Sequence, residues 1–458
     1  MKFIRKINWY LNYSYHRPSA KIEALFESIQ RLAFIEKSRP FSERELLVKK
    51  AQSKLIFYNH IGLLLMNIRN TFSIIFLNKF WDKDIYLEDI NNPEKNIYKE
   101  KKLNPFKWSY IRIISTPKNS ISEIKKQISD SFSAYRHSCN MEKSNKELSE
   151  SEWWMKNQLK FAKDFGLDID NEEKRIKLIS RFRDIEDSEA MIIADNFRLW
   201  PRGRNHKLNL INALHIVNQY HHFAKRINPA ILTWVSDLRC GNNRCVIYRG
   251  QRLNERTLRH AYYSSQILEA YKHLGGFKNG HKTILDIGGA YGGLIRYLKL
   301  INQESTCILV DLPEIIYLAD YFLSNAFPNA KILRSNNKNI LEILSQENKF
   351  KEFDFVLLPP SLLDKLAIYS VDLTINTTSL GEMSPNSQEY YAEIVNTRTR
   401  EMFYSVNRFG GTNRKLLFNE CPGISEFALD NNWVPIALNS THTYHFEQAL
   451  LRTKNVNN

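Results

Sequence analysis

The sequence lacks the marks of secreted, membrane-spanning and metal-stapled chains. Its cysteines number five: Cys139, Cys240, Cys245, Cys307 and Cys421. The odd count and irregular spacing suggest no disulfide framework and fit a reducing, cytoplasmic setting. Cys240 and Cys245 have no second pair at metal-ligand spacing, so no metal is expected. The opening MKFIRKINWYLNYSYHR carries charges but no apolar stretch of signal-peptide length. The most apolar amino-terminal stretch, Ile61 to Phe80, is interrupted by Asn67, Arg69, Asn70 and Asn78. A spanning helix wants ~20 mostly apolar residues. A buried helix is the expectation, or an interfacial one given its basic flanks. No internal repeat is found.

What is present describes a globular protein. Apolar residues make up 43%, aromatic 12% and charged 25% of 458 residues. Disorder over most of the chain is excluded by that balance, and ~100–200 residues per domain predicts two or three units. The formal charge of +16 fits either plain basic faces or attraction to something anionic: nucleic acid, a membrane surface or a phosphorylated substrate. Charge alone does not choose among them.

Residues 1–135 read as a helical, basic amino-terminal region, with Ile22, Leu25, Phe26, Ile29, Leu32 and Phe34 at helical spacing. Residues 136–152 are polar and read as a linker or long surface loop. They open a linker and helical cap region over 136–275, whose most periodic segment is LNLINALHIVNQYHHFAKRI. His221 and His222 fall on it and are read as satisfied histidines rather than ligands. From 276 to 454 the pattern changes. TILDIG, CILVDL, AKIL, FDFVLL, VDLTINTTS and MFYSVN read as strands, most of them separated by helical runs. The fold class predicted is α/β, a Rossmann-like parallel sheet with helices on both faces. WVPIALNS and YHFEQALLRT leave little room for a helix between them, so a terminal antiparallel hairpin is expected.

The informative stretch is TILDIGGAYGGLIRYL. Asp286 stands near the end of an apolar strand, and Gly288, Gly289, Ala290, Gly292 and Gly293 follow before a helix. In a doubly wound sheet, ligands bind beyond the carboxyl ends of the strands, and glycines let the backbone approach closely. This turn resembles the first motif of class I methyltransferases, an acidic residue followed by G-x-G-x-G, with Ala290 in place of the middle glycine. Asp311 closes the next strand, where a carboxylate suits a vicinal ribose diol. Leu312 follows it. The resemblance implies S-adenosylmethionine as cofactor, held by Asp286, Gly288, Gly289, Ala290, Gly292, Asp311, Leu312 and Asn376. A nicotinamide dehydrogenase is the rival with the same topology, and Gly288, Ala290 and Gly293 can be fitted to its pattern. Asp286 counts against it, because a carboxylate there repels a dinucleotide phosphate and tolerates a sulfonium.

Several blocks together resemble one family. These are GNNRCVIYRGQRLNERTLRHAYY, LVDLPEIIYLADYFL, FDFVLLPP, INTTSLGEMSPNSQEYY and FYSVNR, along with the glycine turn. They are similar to the sugar O-methyltransferases of bacterial surface-polysaccharide gene clusters, over roughly residues 190–452. The resemblance implies a methyl donor and a sugar or glycan hydroxyl acceptor, nucleotide- or lipid-linked.

A sugar hydroxyl needs a base as the new bond forms. Glu382, after the VDLTI strand, is the first choice; His442 and His445, near the chain's end, are the others. Ser379, Tyr391 and Arg408 are the expected acceptor-binding residues. The alternatives to each are a helix-terminal or surface charge, a structural histidine, a core aromatic and a solvated arginine. A nucleic-acid methyltransferase is the second reading, but INTTS stands where amino-methylating DNA enzymes carry an N/D-P-P-Y/F block, so no nucleic-acid partner is expected. The third is a non-catalytic scaffold docking at a membrane or glycan-assembly complex. The basic, aromatic-rich amino-terminal region is expected to cover the cleft or touch anionic lipid peripherally.

Overall fold

The computed structural model describes residues 85–87, 121–144, 161–183, most of 216–248, 251–407, 427–440 and 446–453. The helices expected over 22–34 and 61–80, and the positions of His221, His222, Arg408, His442 and His445, lie outside the described residues.

An eight-stranded mixed sheet forms the core. In chain order its strands are β1 (Thr283–Ile287), β2 (Thr306–Val310), β3 (Ile332–Arg334), β4 (Phe355–Leu358), β5 (Val371–Thr377), β6 (Thr399–Asn407), β7 (Trp433–Ser440) and β8 (Phe446–Arg452). Their spatial order is β7-β8-β6-β5-β1-β2-β4-β3. The six strands from β3 to β6 pair in parallel, and β8 runs antiparallel to both β6 and β7. The parallel sheet and the terminal hairpin are those the sequence predicts. Pro435 falls at a register shift in β7, the edge strand, where a missing N–H costs no ladder bond.

The period-two alternation of the strands sorts two cores. Ile284, Cys307, Leu309, Leu373, Ile375, Met402 and Tyr404 face α3 (Glu255–Ala270), α4 (Gly293–Ile301) and α5 (Pro313–Ala326). Leu285, Ile287, Ile308, Val310, Val356 and Phe403 face the other way, toward α6 (Pro385–Arg398) and short turns over 340–366. β1 and β2 are buried at every residue, as strands covered on both faces are. The helix starts are built locally. Asn254 caps α3 by accepting the Thr257 N–H at 2.8 Å, Ser384 caps α6, and Pro313 and Pro385 occupy first turns where no N–H is needed.

Two observations differ from the expectations upstream of the sheet. The stretch 136–144, expected to open a linker, continues a 24-residue helix, α1 (Ile121–Ser144). Its polar side chains read as a loop because few apolar residues are needed where only one narrow stripe is covered. That stripe packs on α5: Phe132 and Tyr135 meet the ring of Tyr317 at 6.5 and 6.3 Å. A shorter helix, α2 (Glu172–Ile179), follows and is capped by Asn171. The cap region, expected to be helical, also holds part of a three-stranded antiparallel sheet of Ile85–Leu87, Val246–Tyr248 and Gln251–Leu253.

Candidate functional site

β1 lies between β2 and β5, so the connections leave it in opposite directions and open a crevice at its carboxyl end. The glycine turn fills the floor of that crevice. Gly288, Ala290 and Gly292 have φ of 69°, 49° and 85°, the left-handed region that glycine enters without penalty. Ala290 accepts that penalty with its small side chain. A Cβ on Gly289 would lie 2.8 Å from Leu309 Cγ and 3.0 Å from Asp286 Oδ2. The turn is therefore pressed onto the strand ends by residues that have no side chain to hold it off.

Asp311 ties this turn to β2. Its Oδ2 accepts the Ala290 N–H at 2.9 Å, and its Oδ1 accepts the Leu312 N–H at 2.8 Å. Each oxygen keeps a further lone pair for a ligand. Burial raises its pKa to about 6, against the lowering effect of those two N–H groups. Asp286 is 1% exposed. Burial, then the neighbouring Asp311, raise its pKa well above the usual carboxylate range. Its Oδ1 has no hydrogen-bond partner among the described residues.

Asn376 and Ser379 stitch the far side of the turn. The Asn376 amide donates to Ile287 O at 2.7 Å and to Ser379 Oγ at 2.5 Å; its own oxygen accepts from Asn407 at 2.8 Å. Ser379 donates to Ile287 O at 3.2 Å. Its hydroxyl is thus engaged with the turn, beneath Gly288. Glu382 lies close by, half-exposed in a one-turn helix over Leu380–Glu382. Tyr391 is placed differently. It is buried in the core beneath α6, with its ring 5.3 Å from that of Tyr390. Ser387, Gln388, Ala392, Ile394 and Val395 are the other buried residues of that helix.

The structure adds residues that sequence reasoning missed. Glu314, in the first turn of α5, is 7% exposed, and its Oε2 has no hydrogen-bond partner among the described residues. Burial first, then Asp311 and Glu142, raise its pKa to about 7. The DLPE block contains it, yet an acidic residue after a helix-starting proline reads as an ordinary dipole partner. α1 crosses the carboxyl ends of β3 and β4. Ser138 shares a hydrogen bond with Ser335 at 2.7 Å, and Glu142 accepts the Ser361 N–H at 2.9 Å. No signal in the sequence marks this contact.

A basic cluster stands around Tyr291 of the turn. Arg183 and Arg256 lie 5.0 and 5.9 Å from its ring centroid, and a Cβ on Gly293 would lie 2.5 Å from His260. Burial, then Arg256 and Arg259, depress the His260 pKa, so this imidazole is neutral at neutral pH. Arg183 pairs with Asp237 at 2.6 Å, both buried, and Asn254 donates to the same carboxylate. Glu447, at the same sheet edge, accepts Tyr404 OH at 2.6 Å and Tyr262 OH at 2.9 Å.

Among the described residues, no group of three or more His, Cys, Asp or Glu side chains is arranged to hold a metal, and no helix is long and apolar enough to cross a membrane.

No protein-family model matches this chain, and no curated protein matches it. Solved structures that resemble it include a magnesium protoporphyrin IX methyltransferase from Synechocystis, at 11% identity over 43% of this chain and 82% of that one, with a TM-score of 0.27. Phosphoethanolamine N-methyltransferase 2 of Haemonchus contortus resembles it at 15% identity over 32% and 28%, with a TM-score of 0.22. Human N-acetylserotonin methyltransferase does so at 9% identity over 38% and 48%, with a TM-score of 0.24.

Proposed function

We propose that this chain is an S-adenosylmethionine-dependent methyltransferase whose acceptor is a sugar hydroxyl. The observation that carries the donor reading is the pairing of Asp311 with the Ala290 N–H, which sets a diol-binding carboxylate against a close-approach glycine turn at the sheet's switch point. Burial disfavours ionisation of Asp286 and Glu314, and a cationic ligand would offset that where a dinucleotide pyrophosphate would not. S-adenosylmethionine brings an electrophilic methyl on a positively charged sulfur. The site's residues fit it: Gly288, Gly289 and Gly292 let the turn pack down on Ser379, Leu309 and Leu323, Asp311 would accept the ribose hydroxyls, and Leu312 would line the adenosyl side.

Catalysis then asks the chain to align an acceptor oxygen with the methyl and to remove a proton. Glu382 is the base in this reading, since it follows β5 at the carboxyl edge. Asn376 and Ser379 hold the turn in place beneath it. His442, His445 and Arg408 are proposed for the same edge on sequence grounds. The sugar acceptor rests on the resemblance of the INTTSLGEM and DLPE blocks, and the site lies in the cytoplasm, with peripheral contact to anionic lipid.

Calorimetry with S-adenosylmethionine and S-adenosylhomocysteine tests the donor. Wild type should bind both, and Asp311→Asn should weaken each by at least about tenfold through the lost ribose hydrogen bonds. No binding by wild type would leave the scaffold reading ahead. Mass spectrometry of surface glycans from a deletion strain tests the acceptor: each modified sugar should lose the mass of one methylene. An unchanged glycan profile together with salt-steep RNA binding would favour the nucleic-acid reading instead.

A further inference from the structure

Resting on that methyltransferase reading, we infer that Asn407, which closes β6, is a positioning residue. Through the Asn376 amide it locks the glycine turn and the turn that carries Glu382 to one another. Asn376 and Asn407 are 0% and 1% exposed, on neighbouring strand ends. The Asn407 amide nitrogen donates to Asn376 Oδ1 and to Ser405 Oγ, each at 2.8 Å. Its carbonyl oxygen has no hydrogen-bond partner among the described residues. A buried amide satisfied at one end costs more than an apolar side chain of the same size. Filling space therefore does not account for an asparagine here; gripping Asn376 does.

The grip has a fixed direction. Ile287 O can only accept, so Asn376 turns its NH2 to it, at 2.7 Å. The Leu380 N–H can only donate, and it meets the other end of the same amide, Oδ1, at 3.2 Å. Two backbone groups thus set the amide, and any further side chain facing that Oδ1 has to be a donor. Asn407 is that donor. One arm of the relay runs to the glycine turn: the Asn376 nitrogen holds Ile287 O and Ser379 Oγ, and Ser379 lies beneath Gly288. The other arm runs to the proposed base. Leu380 opens the one-turn helix that ends on Glu382, whose N–H donates to Ser379 O at 2.9 Å.

Backbone strain marks the same turn. Thr378 has a φ of 64°, a left-handed conformation that a β-branched residue rarely enters. Its N–H donates to Val406 O at 2.7 Å, one residue before Asn407. Such strain lasts only where the surroundings over-determine it. Here the Thr378–Val406 and Asn376–Asn407 bonds do so, as two rungs between the ends of β5 and β6. A slack Asn376 would loosen both turns at once, so donor affinity and turnover should fall together.

A double-mutant cycle on the full chain decides. Asn407→Ala and Ser379→Ala remove the two ends of a relay joined through Asn376. Each should weaken S-adenosylmethionine binding by about fivefold in calorimetry, and the double variant should lose about as much as the worse single one. Asn407→Ala should also slow methyl transfer to glycan extracted from the deletion strain by about tenfold at saturating donor, a loss that lowered stability alone does not give. Circular dichroism at the assay temperature checks that each variant is folded. Should Asn407→Ala fail to fold, Asn407→Ser takes its place. Single losses that multiply in the double variant, or Asn407→Ala matching wild type within twofold in binding or in transfer, overturn the positioning role and leave the methyltransferase reading standing. No donor binding by wild type overturns both. Donor binding by wild type without transfer to the glycan overturns the sugar acceptor, and the binding cycle still decides on Asn407.

Discussion

A Cβ at residue 288 would stand 2.6 Å from the Cβ of Ser379, closer than side-chain carbons come to one another. Ser379 is held there by hydrogen bonds to Ile287 and Asn376, so it cannot yield cheaply. Gly288→Ala should therefore lower the melting temperature and weaken donor binding by more than tenfold. Adding Ser379→Gly should relieve the collision and leave the left-handed backbone strain of about 1–2 kcal/mol. Thermal melts of the single and double variants check both parts. Equal melting of wild type and Gly288→Ala would contradict the packing described.

Glu314 makes stability depend on pH in the unliganded protein. Its folded pKa is raised from 4.5 to about 7. The sign follows: the protonated group favours the fold, and that contribution is complete below the ordinary glutamate value. It is lost as pH climbs from there through about 7, amounting to roughly 3 kcal/mol. Wild type should melt at a lower temperature at pH 8 than at pH 5, and Glu314→Gln should remove much of the difference. A pH-melting series on the two proteins measures it.

Glu382→Gln separates chemistry from binding. If this carboxylate takes the acceptor proton, kcat should fall by about 10²–10⁴-fold while the donor dissociation constant stays within twofold. A matched loss of donor affinity would assign Glu382 to the cofactor pocket instead.

Arg183→Met probes the support behind the turn. The change strips Asp237 of its cation inside the protein, which costs about 3–5 kcal/mol. Adding Asp237→Leu should recover a large part of that loss, since two apolar groups replace the pair. Urea unfolding of the single and double variants would show it.

The sheet was legible because buried parallel strands are short, continuous apolar runs such as TILDI and TCILV, and the helices between them are amphipathic or wholly apolar. The turn and Asp311 were legible because glycines and a strand-end carboxylate are rare enough to stand out. Strand order was not: nothing in FVLL says that β4 inserts between β2 and β3. The continuation of α1 past residue 135 was not legible because its exposed faces are polar and its covered stripe is narrow. Tyr391 is buried in the core with Tyr390 packed beside it, a placement that helical spacing alone does not give. Glu314 was overlooked because an acid in a helix's first turn has an ordinary explanation, and only burial removes it.

The two clasps made by α1, Ser138 to Ser335 and Glu142 to Ser361, bear on how the protein should be cut. A fragment begun at residue 276, where the strand pattern starts, would leave the β3–β4 rim bare and expose the ring of Tyr317 that Phe132 and Tyr135 cover. Expression boundaries placed ahead of residue 121 keep that rim roofed.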